Sequence, residues 1–416
     1  MPVRREMAMS SGDDNRWGVA GHVPSRSFPM ACLLHALLLM ACGAPDRPLP
    51  IDPSRTLVLE TEWRFSPRYG GVFTDDTTGD EFIFSGDPIT HRKVRVFDSA
   101  GNPIHDIPLD SALEALGGVN SLALISKDSL FVLQEHGPQY VIIDVQGRVA
   151  KVGSLEDGLC DDRGDHYEIN GYSNGLAWFH GALYMETDWV GPCNDTTEDA
   201  TSSLFHVHQQ YFSRSTQKCK LAKYGPLDGD ASVQFGACDI LPHLTDTPRC
   251  TIGGVRRVVA NGDLFVISPY SHYILRIDDG LKVADNIEIQ YMNGPAAITP
   301  PPITADDTKN EGYNLRFATK PSIVGFGYDR SSKRYVAMVY HEVPETAPDS
   351  VRGIERDWSL IVLDSTFKKI DEHHMPGRLF WPGHLINTKE GVWVLSARRG
   401  RDGVMQPKVF HRLRLS

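Results

Sequence analysis

From Leu57 to the end, the chain repeats one order of short β-rich runs and tight turns, and few folds can accommodate such a repeat. Ser129-Leu130-Phe131-Val132-Leu133 is followed by Tyr140-Val141-Ile142-Ile143-Asp144, then a turn at Gln146-Gly147, then Arg148 to Val152. Asp263 to Ile267 is followed by Tyr273 to Ile277, a turn at Asp279-Gly280, and Lys282-Val283. The same order recurs at Glu81 to Phe84 with Val94 to Phe97, and at Tyr335 to Met338 with Leu360 to Leu363. One further strand precedes each pair and closes on a polar turn. Examples are Asn120 to Ile125 before Lys127-Asp128, Arg256 to Val259 before Asn261-Gly262, and Ile323 to Gly327 before Arg330-Ser331. No long stretch has helical periodicity. Four antiparallel strands per unit, repeated with small turns, are the signature of a propeller blade.

First strands begin near residues 71, 121, 174, 256, 322 and 384, which predicts an all-β, six-bladed β-propeller of four-stranded antiparallel blades. A β-sandwich leaves the recurrence unexplained, and a seventh blade would have to hide after Gly225 or Tyr291. The sixth unit ends at Val409 to Leu413, a third strand with no chain left for a fourth. Thr56 to Trp63 precedes the first unit and lacks a unit of its own. The expectation is that this N-terminal run supplies the missing outer strand and closes the ring. The domain then covers 56–416.

Upstream, Met30 to Ala41 is the one stretch apolar enough to meet a membrane, and it is shorter than the roughly 20 residues that span a bilayer as a helix. Its length suits the apolar region of a signal peptide, and Arg26 lies just before it. It closes on Leu39-Met40-Ala41-Cys42, which resembles the bacterial lipobox. The resemblance implies cleavage before Cys42 and lipidation of its thiol. Residues 1–41 are then a signal peptide with an upstream extension, and 42–55 a lipidated Cys and tether. The expected address is the cell envelope, lipid-anchored at the outer membrane on its periplasmic or surface side. A net charge of -11 leaves no basic excess to replace counterions, so nucleic acid is not an expected partner.

Seven Cys are present, and Cys160, Cys193, Cys219, Cys238 and Cys250 lie beyond the leader with no zinc-finger spacing. An exported chain lives where disulfides persist. Proximity in the repeat scheme suggests Cys160–Cys193 and Cys238–Cys250, although sequence does not fix connectivity.

In this scheme the turns between first and second strands, and between third and fourth, are short. The other two connection classes are long and emerge together on the opposite face. They include Thr187 to Ser203, His341 to Trp358 and Ala397 to Gln406 within blades. Between blades they are Glu156 to Asn170, Gly225 to Gly254 and Tyr291 to Pro321. Loops of this length usually carry function. The candidate mouth residues they bring are His91, Arg92, Glu135, His136, Asp188, Trp189, Tyr270, His272, His341, Glu342, Arg398 and Arg399. Such a mixed ring suits a protein, peptide or glycan ligand, or a metal ion.

One segment is more particular. Ser173-Asn174-Gly175-Leu176-Ala177-Trp178, followed by Gly181 to Tyr184, resembles a blade of the regucalcin/gluconolactonase family. The resemblance implies that Asn174 offers an amide oxygen to Ca²⁺ or Mg²⁺, ions that prefer oxygen ligands. The family's Glu-Gly-Pro and Asp-Gly ligand motifs are absent. The first blade opens Gly70-Gly71-Val72-Phe73, and later blades open with Arg256-Arg257 and His384-Leu385. His206-x-His208, His373-His374, and Asp161-Asp162 with Asp165-His166 are weaker metal patterns, the last without EF-hand spacing. No nucleophile elbow, zincin motif or phosphate-binding Gly loop occurs.

As a whole the chain resembles bacterial six-bladed propeller lipoproteins of TolB-like and NHL-like architecture. That resemblance implies a monomeric, non-enzymatic binding or scaffolding module in the envelope, anchored to the membrane, for a protein, peptide or glycan. The alternative is a divalent-metal-dependent lactonase or hydrolase using Asn174.

Overall fold

A computed structural model describes residues 49–415, apart from 136, 156–158, 170–175, 194–220, 228–231, 238–254, 270, 272, 290–318, 349–354 and 398–407. Among the described residues, twenty-five strands form six antiparallel sheets, and these are the six blades of a β-propeller. Blade one is β2 (Gly70–Thr74), β3 (Glu81–Asp87), β4 (Lys93–Asp98) and β5 (Pro103–Pro108), hydrogen-bonded in that order. Blade two is β6 (Val119–Ser126), β7 (Ser129–Gln134), β8 (Gln139–Asp144) and β9 (Val149–Ser154). Blade three contains β10 (Asp165–Ile169), β11 (Ala177–Phe179), β12 (Ala182–Pro192), β13 (Leu221–Gly225) and β14 (Ser232–Gly236). Blade four is β15 (Arg256–Ala260), β16 (Asp263–Ile267), β17 (Tyr273–Ile277) and β18 (Val283–Glu288). Blade five is β19 (Ser322–Asp329), β20 (Arg334–Tyr340), β21 (Trp358–Leu363) and β22 (Lys369–Met375).

The sixth blade joins the two ends of the domain. Its sheet runs β23 (Phe380–Thr388), β24 (Gly391–Ser396), β25 (Lys408–Leu413) and then β1 (Ile51–Leu59). The N-terminal strand is therefore the outer strand of the last blade, as the missing fourth strand predicts. It starts at Ile51 rather than Thr56, with Ile51 opposite Leu413 and Leu59 opposite Lys408. Residues 51–55, read from sequence as tether, are part of the sheet. Leu57 and Leu59 point into the seam with blade one, where they pack with Ile83, Phe97 and Phe410.

Every seam between neighbouring blades has an apolar cluster of this kind. Phe84, Val96, Leu122 and Val132 fill the seam between blades one and two, and Phe131, Tyr140, Leu183 and Tyr224 the next. Tyr184, Leu221, Val266 and Leu275 join blades three and four. Ile267, Ile274, Ala337 and Ile361 join four and five, and Val336, Leu360, Val392 and Val394 join five and six. Because successive side chains of a strand point to opposite faces, the middle strands serve two seams at once. That is why β21, Trp-Ser-Leu-Ile-Val-Leu, is buried at every position. Outer strands have one wet edge and one thin seam, and β18 is exposed at five of its six positions. Polar contacts cross the seams too. The Tyr140 and Tyr224 hydroxyls share a buried hydrogen bond of 2.8 Å.

The hairpins between third and fourth strands share a local device. Asp98, Asp144 and Asp364 each accept, through Oδ1, the backbone N–H groups two and four residues on. Asp278 accepts from Lys282 in the same way. The residue three positions on from each Asp has positive φ, namely Gly101, Gly147, Leu281 and Phe367. An Asp hydrogen-bonded to its own backbone two residues on is an Asx turn. Leu281 adopts this strained conformation because its side chain is buried in the seam between blades three and four. The turn read from the sequence at Asp279-Gly280 lies inside this loop, between Asp278 and Leu281. Asp161 to Asp165 is the same turn, with Gly164 at φ 77°, which accounts for its acidic look as hairpin chemistry.

Two features depart from the plain four-strand plan. A short helix, α1 (Asp110–Leu116), joins blades one and two and ends at Gly117 with φ 74°. Ala112 and Leu116 bury its inner side against the seam. In blade three the inner edge is shared. β11 pairs with the first residues of β12, and β10 pairs with Thr187 to Pro192. Strand β12 is thus longer than its counterparts, and its far end carries Asp188 and Trp189 opposite Glu168 and Tyr167. Cys160 and Cys193 lie at the tip of this hairpin with sulfurs at bonding distance, matching the suggested pair. Cys238 and Cys250 lie outside the described residues.

If closure rests on β1, shortening a side chain in its seam is costly, whereas its exposed face tolerates change. Leu59→Ala is expected to cost about 2–5 kcal/mol in urea unfolding, and Val58→Ala under about 0.5 kcal/mol. Equal costs for the two would mean that β1 does not close the ring.

Candidate functional site

Six twisted sheets arranged about an axis cannot fill that axis, so the inner strands line a channel. It contains a cavity of about 480 Å³, bounded by β2, β11, β15, β19 and β23 and by the connection leading into β2. Chain direction gives the cavity two unlike ends. Each inner strand enters from the face carrying the long connections and leaves by a short turn. Phe65 and Arg256 therefore mark the long-loop end, and Asp76, His180, Asn261 and Arg330 mark the short-turn end. Gly325 keeps the bore open between β19 and β23. A Cβ there would come within 2.5 Å of the Pro382 carbonyl oxygen.

The short-turn end is a set of compensated charges. Glu81, almost fully buried, stands 3.2 Å from the Arg330 guanidinium and accepts the Lys389 backbone N–H at 2.6 Å. It thereby ties blade one to blades five and six. Burial raises its pKa, opposed by the Lys389 N–H and by Arg330. Tyr328 donates its hydroxyl to Asn261 Oδ1 at 3.0 Å, and its backbone N–H to Asn387 Oδ1 at 3.3 Å.

The long-loop end differs in sign. Adjacent residues of a strand face opposite seams, so Arg256 and Arg257 part company at the start of β15. Arg257 turns toward blade three, where it donates to the Tyr184 carbonyl at 2.9 Å and feels the buried carboxylate of Glu186. Arg256 turns toward blades five and six. There it acts on Tyr340 and on His384, whose ring lies 6.4 Å from Phe65 and 5.2 Å from Trp381. Burial holds His384 down to a pKa of about 4, and the positive charges of Arg256 and Arg64 push in the same direction. Lys408, at the start of β25, is lowered by burial and then by Arg64. His384 is thus a neutral imidazole at neutral pH within a group of cations.

His91, Arg92, Glu135, His341 and Glu342 do not line the cavity; each is held by a near neighbour. His91 Nδ1 lies 2.8 Å from Asp87 Oδ2, and Arg92 lies 3.1 Å from Asp110 beside α1. Glu135 pairs with Arg68 at 3.6 Å, and Glu342 with Lys320. His341 Nε2 lies 2.9 Å from Ser359 Oγ, and its ring centroid is 5.1 Å from that of His374. Burial depresses the His341 pKa, as does the neighbouring His374. Arg356, itself buried, fixes this corner by donating to the carbonyls of His341, Thr319 and Lys320. Asp188 and Trp189 are on the far end of β12. His373 and His374 each lie beside an aspartate, Asp371 at 3.2 Å and Asp357 at 3.3 Å. Cys42, His136, Asn174, His206, His208, Tyr270, His272, Arg398 and Arg399 lie outside the described residues. Among the described residues no three His, Cys, Asp or Glu side chains converge as metal ligands do.

Arg256 and His384 were visible in the sequence only as departures from a metal-binding pattern. Arg256 and His384 occupy the inner-strand positions at which that pattern asks for an acid. Arg64 and Lys408 are brought to them only by the closing of the ring.

Fold and channel together define a six-bladed β-propeller with an axial cavity that carries Arg256 at its long-loop end. No family model matches the chain, and no curated protein is significantly similar to it. Among solved structures it is similar to a member of the DUF4221 family from Bacteroides vulgatus, at 13% identity and a TM-score of 0.63, covering 87% of this chain and 97% of that one. It is more distantly similar to a calcium-binding regucalcin from Agrobacterium tumefaciens, at 13% identity, TM-score 0.40 and coverage of 88% and 94%. A virginiamycin B lyase from Staphylococcus aureus gives 10% identity, TM-score 0.36 and coverage of 86% and 99%. At these identities the likenesses speak for fold alone.

The His384 environment has a pH signature. Its folded pKa of about 4 lies below its ordinary 6.5, so the unfolded chain takes up a proton that the folded chain refuses. Stability from this group is intact above pH 6.5 and is lost as pH falls toward 4. The urea midpoint should drop between pH 7 and pH 5, and His384→Gln should shrink that drop. An unchanged drop in the variant would show that His384 is already charged at pH 5.

Proposed function

We propose that this chain is a lipid-anchored binding module of the cell envelope, which takes its ligand at the long-loop end of the propeller channel. The observation that carries the binding reading is the sign of that end. The charged residues that line the cavity there are Arg256 and Arg257, while the one carboxylate of the lining, Asp76, lies at the other end, which makes the long-loop end a poor place for a divalent cation. A mouth of about 480 Å³ with aromatic walls and a few polar groups falls within the usual range of small-ligand sites. The anchor rests on the lipobox-like Leu39 to Cys42, and an extracytoplasmic address accords with the apposed Cys160 and Cys193.

Calorimetric titration of the protein with Ca²⁺ and Mg²⁺ should give no saturable heat, and gluconolactone should not be hydrolysed above background. Saturable divalent binding with lactone turnover, both lost in Asn174→Ala, would replace the binding reading with the metal-dependent lactonase. For the anchor, cells labelled with palmitate should incorporate it into this protein and not into Cys42→Ser. Equal labelling of the two would remove Cys42 as the site of attachment.

A further inference from the structure

The short-turn end of the cavity brings together polar side chains that are each fixed at one end and open at the other. Asn387 accepts the Tyr328 backbone N–H through Oδ1 at 3.3 Å, which orients its amide N–H pair away from that bond. Arg330 is held at Nη1 by the buried carboxylate of Glu81, 3.2 Å away. Asp76 follows the end of β2 and is exposed. All three line the cavity. Among the described residues, no group takes up the Asp76 carboxylate, the Asn387 N–H pair or the remaining N–H groups of Arg330.

Aromatic rings stand beside them. Trp178 and Phe179 of β11 are half-buried and line the same cavity. The turn after them carries a further ring. His180-Gly181 and Asn261-Gly262 are the same turn in neighbouring blades, with φ of 48° and 71° in one and 54° and 85° in the other. Asn is the ordinary residue for the first position of such a turn. Blade three has His there instead, and its ring stacks on Phe179 with centroids 3.8 Å apart. The turn itself does not call for that ring. What the ring adds is another aromatic surface at the short-turn end.

We propose that the short-turn end of the channel is a binding site for an uncharged saccharide, with a sugar ring against Trp178 and His180 and its hydroxyls on Asp76, Asn387 and Arg330. This goes beyond the binding reading above, which concerns the opposite end, and does not depend on it. The ligand class follows from the chemistry of these groups. Asp76 needs a donor, Asn387 and Arg330 need acceptors, and a hydroxyl is both. An anion would meet Asp76 and a cation would meet Arg330, so a charged ligand suits neither end of the set. A sugar ring also has an apolar C–H face, which aromatic side chains cover while polar neighbours meet the hydroxyls. The walls offer more of the same neutral chemistry. β2, β15, β19 and β23 are end strands of their sheets, and among the described residues no strand pairs with their inner edges. Because Glu81 and Tyr328 hold Arg330 and Asn387 in advance, little freedom is lost when the ligand arrives.

The test is titration of the full-length protein with glucose, N-acetylglucosamine, cellobiose and maltose, followed by tryptophan fluorescence. Citrate and cyclohexanol serve as the charged and apolar controls. At least one sugar should change the fluorescence saturably, and neither control should. Asp76→Ala, at an exposed position, should weaken that sugar roughly tenfold. Asn387→Asp keeps the acceptor for the Tyr328 N–H but removes the donors, and should weaken it several-fold. Urea midpoints close to wild type in both variants would separate lost binding from lost folding. Trp178→Phe should abolish the fluorescence change while calorimetry still detects the sugar. Silence from all four sugars overturns the proposal, as does undiminished affinity in both polar variants. A fluorescence change that survives in Trp178→Phe, or citrate competing with the sugar, overturns it too. None of these results bears on the long-loop end, whose reading is tested by the divalent-ion titration above.

Discussion

Face-to-face packing of neighbouring blades is the contact on which everything else in this molecule depends. There is no central core. Each blade buries one face against the blade before it and the other against the blade after it, so six apolar seams do the work that one core does in a smaller domain. A linear row of such sheets would leave two faces bare, and exposed apolar faces of that size invite association. Closing the ring removes both. The strand Ile51–Leu59 does this by completing the last sheet and presenting Leu57 and Leu59 to the first. The ends of the domain are thereby held by one set of hydrogen bonds and one cluster of side chains.

The same geometry produces the channel. Seam packing satisfies the middle strands on both faces, but the inner strands meet only one another across an axis too wide to fill. Side chains there face a cavity in which solvent competes poorly with the protein's own field. Charges in such a place are costly unless they are paired. The protein meets that cost with Glu81 at the short-turn end and with Glu186 beside Arg257. At the long-loop end it meets part of it by keeping His384 neutral.

Much of the fold could be read from the chain, and the reason is the two-residue period of strands. Middle strands that serve two seams have to be apolar throughout, and runs such as Phe131 to Leu133 or Leu360 to Leu363 announce themselves. Turn residues at fixed offsets then set the phase of each hairpin. The closing strand was legible because the last unit was one strand short. Its start was not, since Ile51 to Arg55 carries polar side chains that the edge of a sheet tolerates as readily as a tether does. The helix at Asp110–Leu116 is too short to build a periodic signal. Of the turn signals, the Gly residues were recognised. The aspartates that lead them went unread, because their role depends on backbone N–H groups that sequence does not display.

The site was legible to a smaller degree, for a different physical reason. Connection lengths predict one face for the long loops, yet described residues at loop ends find local partners, as His91 does in Asp87 and Arg92 in Asp110. What meets on the axis is set by strand phase and ring closure, which act between residues hundreds of positions apart. Arg64 reaches His384 only because β1 is the outer strand of the blade that holds β23. A chain that failed to seat β1 would lose its seam with blade one and, with it, the placing of Arg64 near His384.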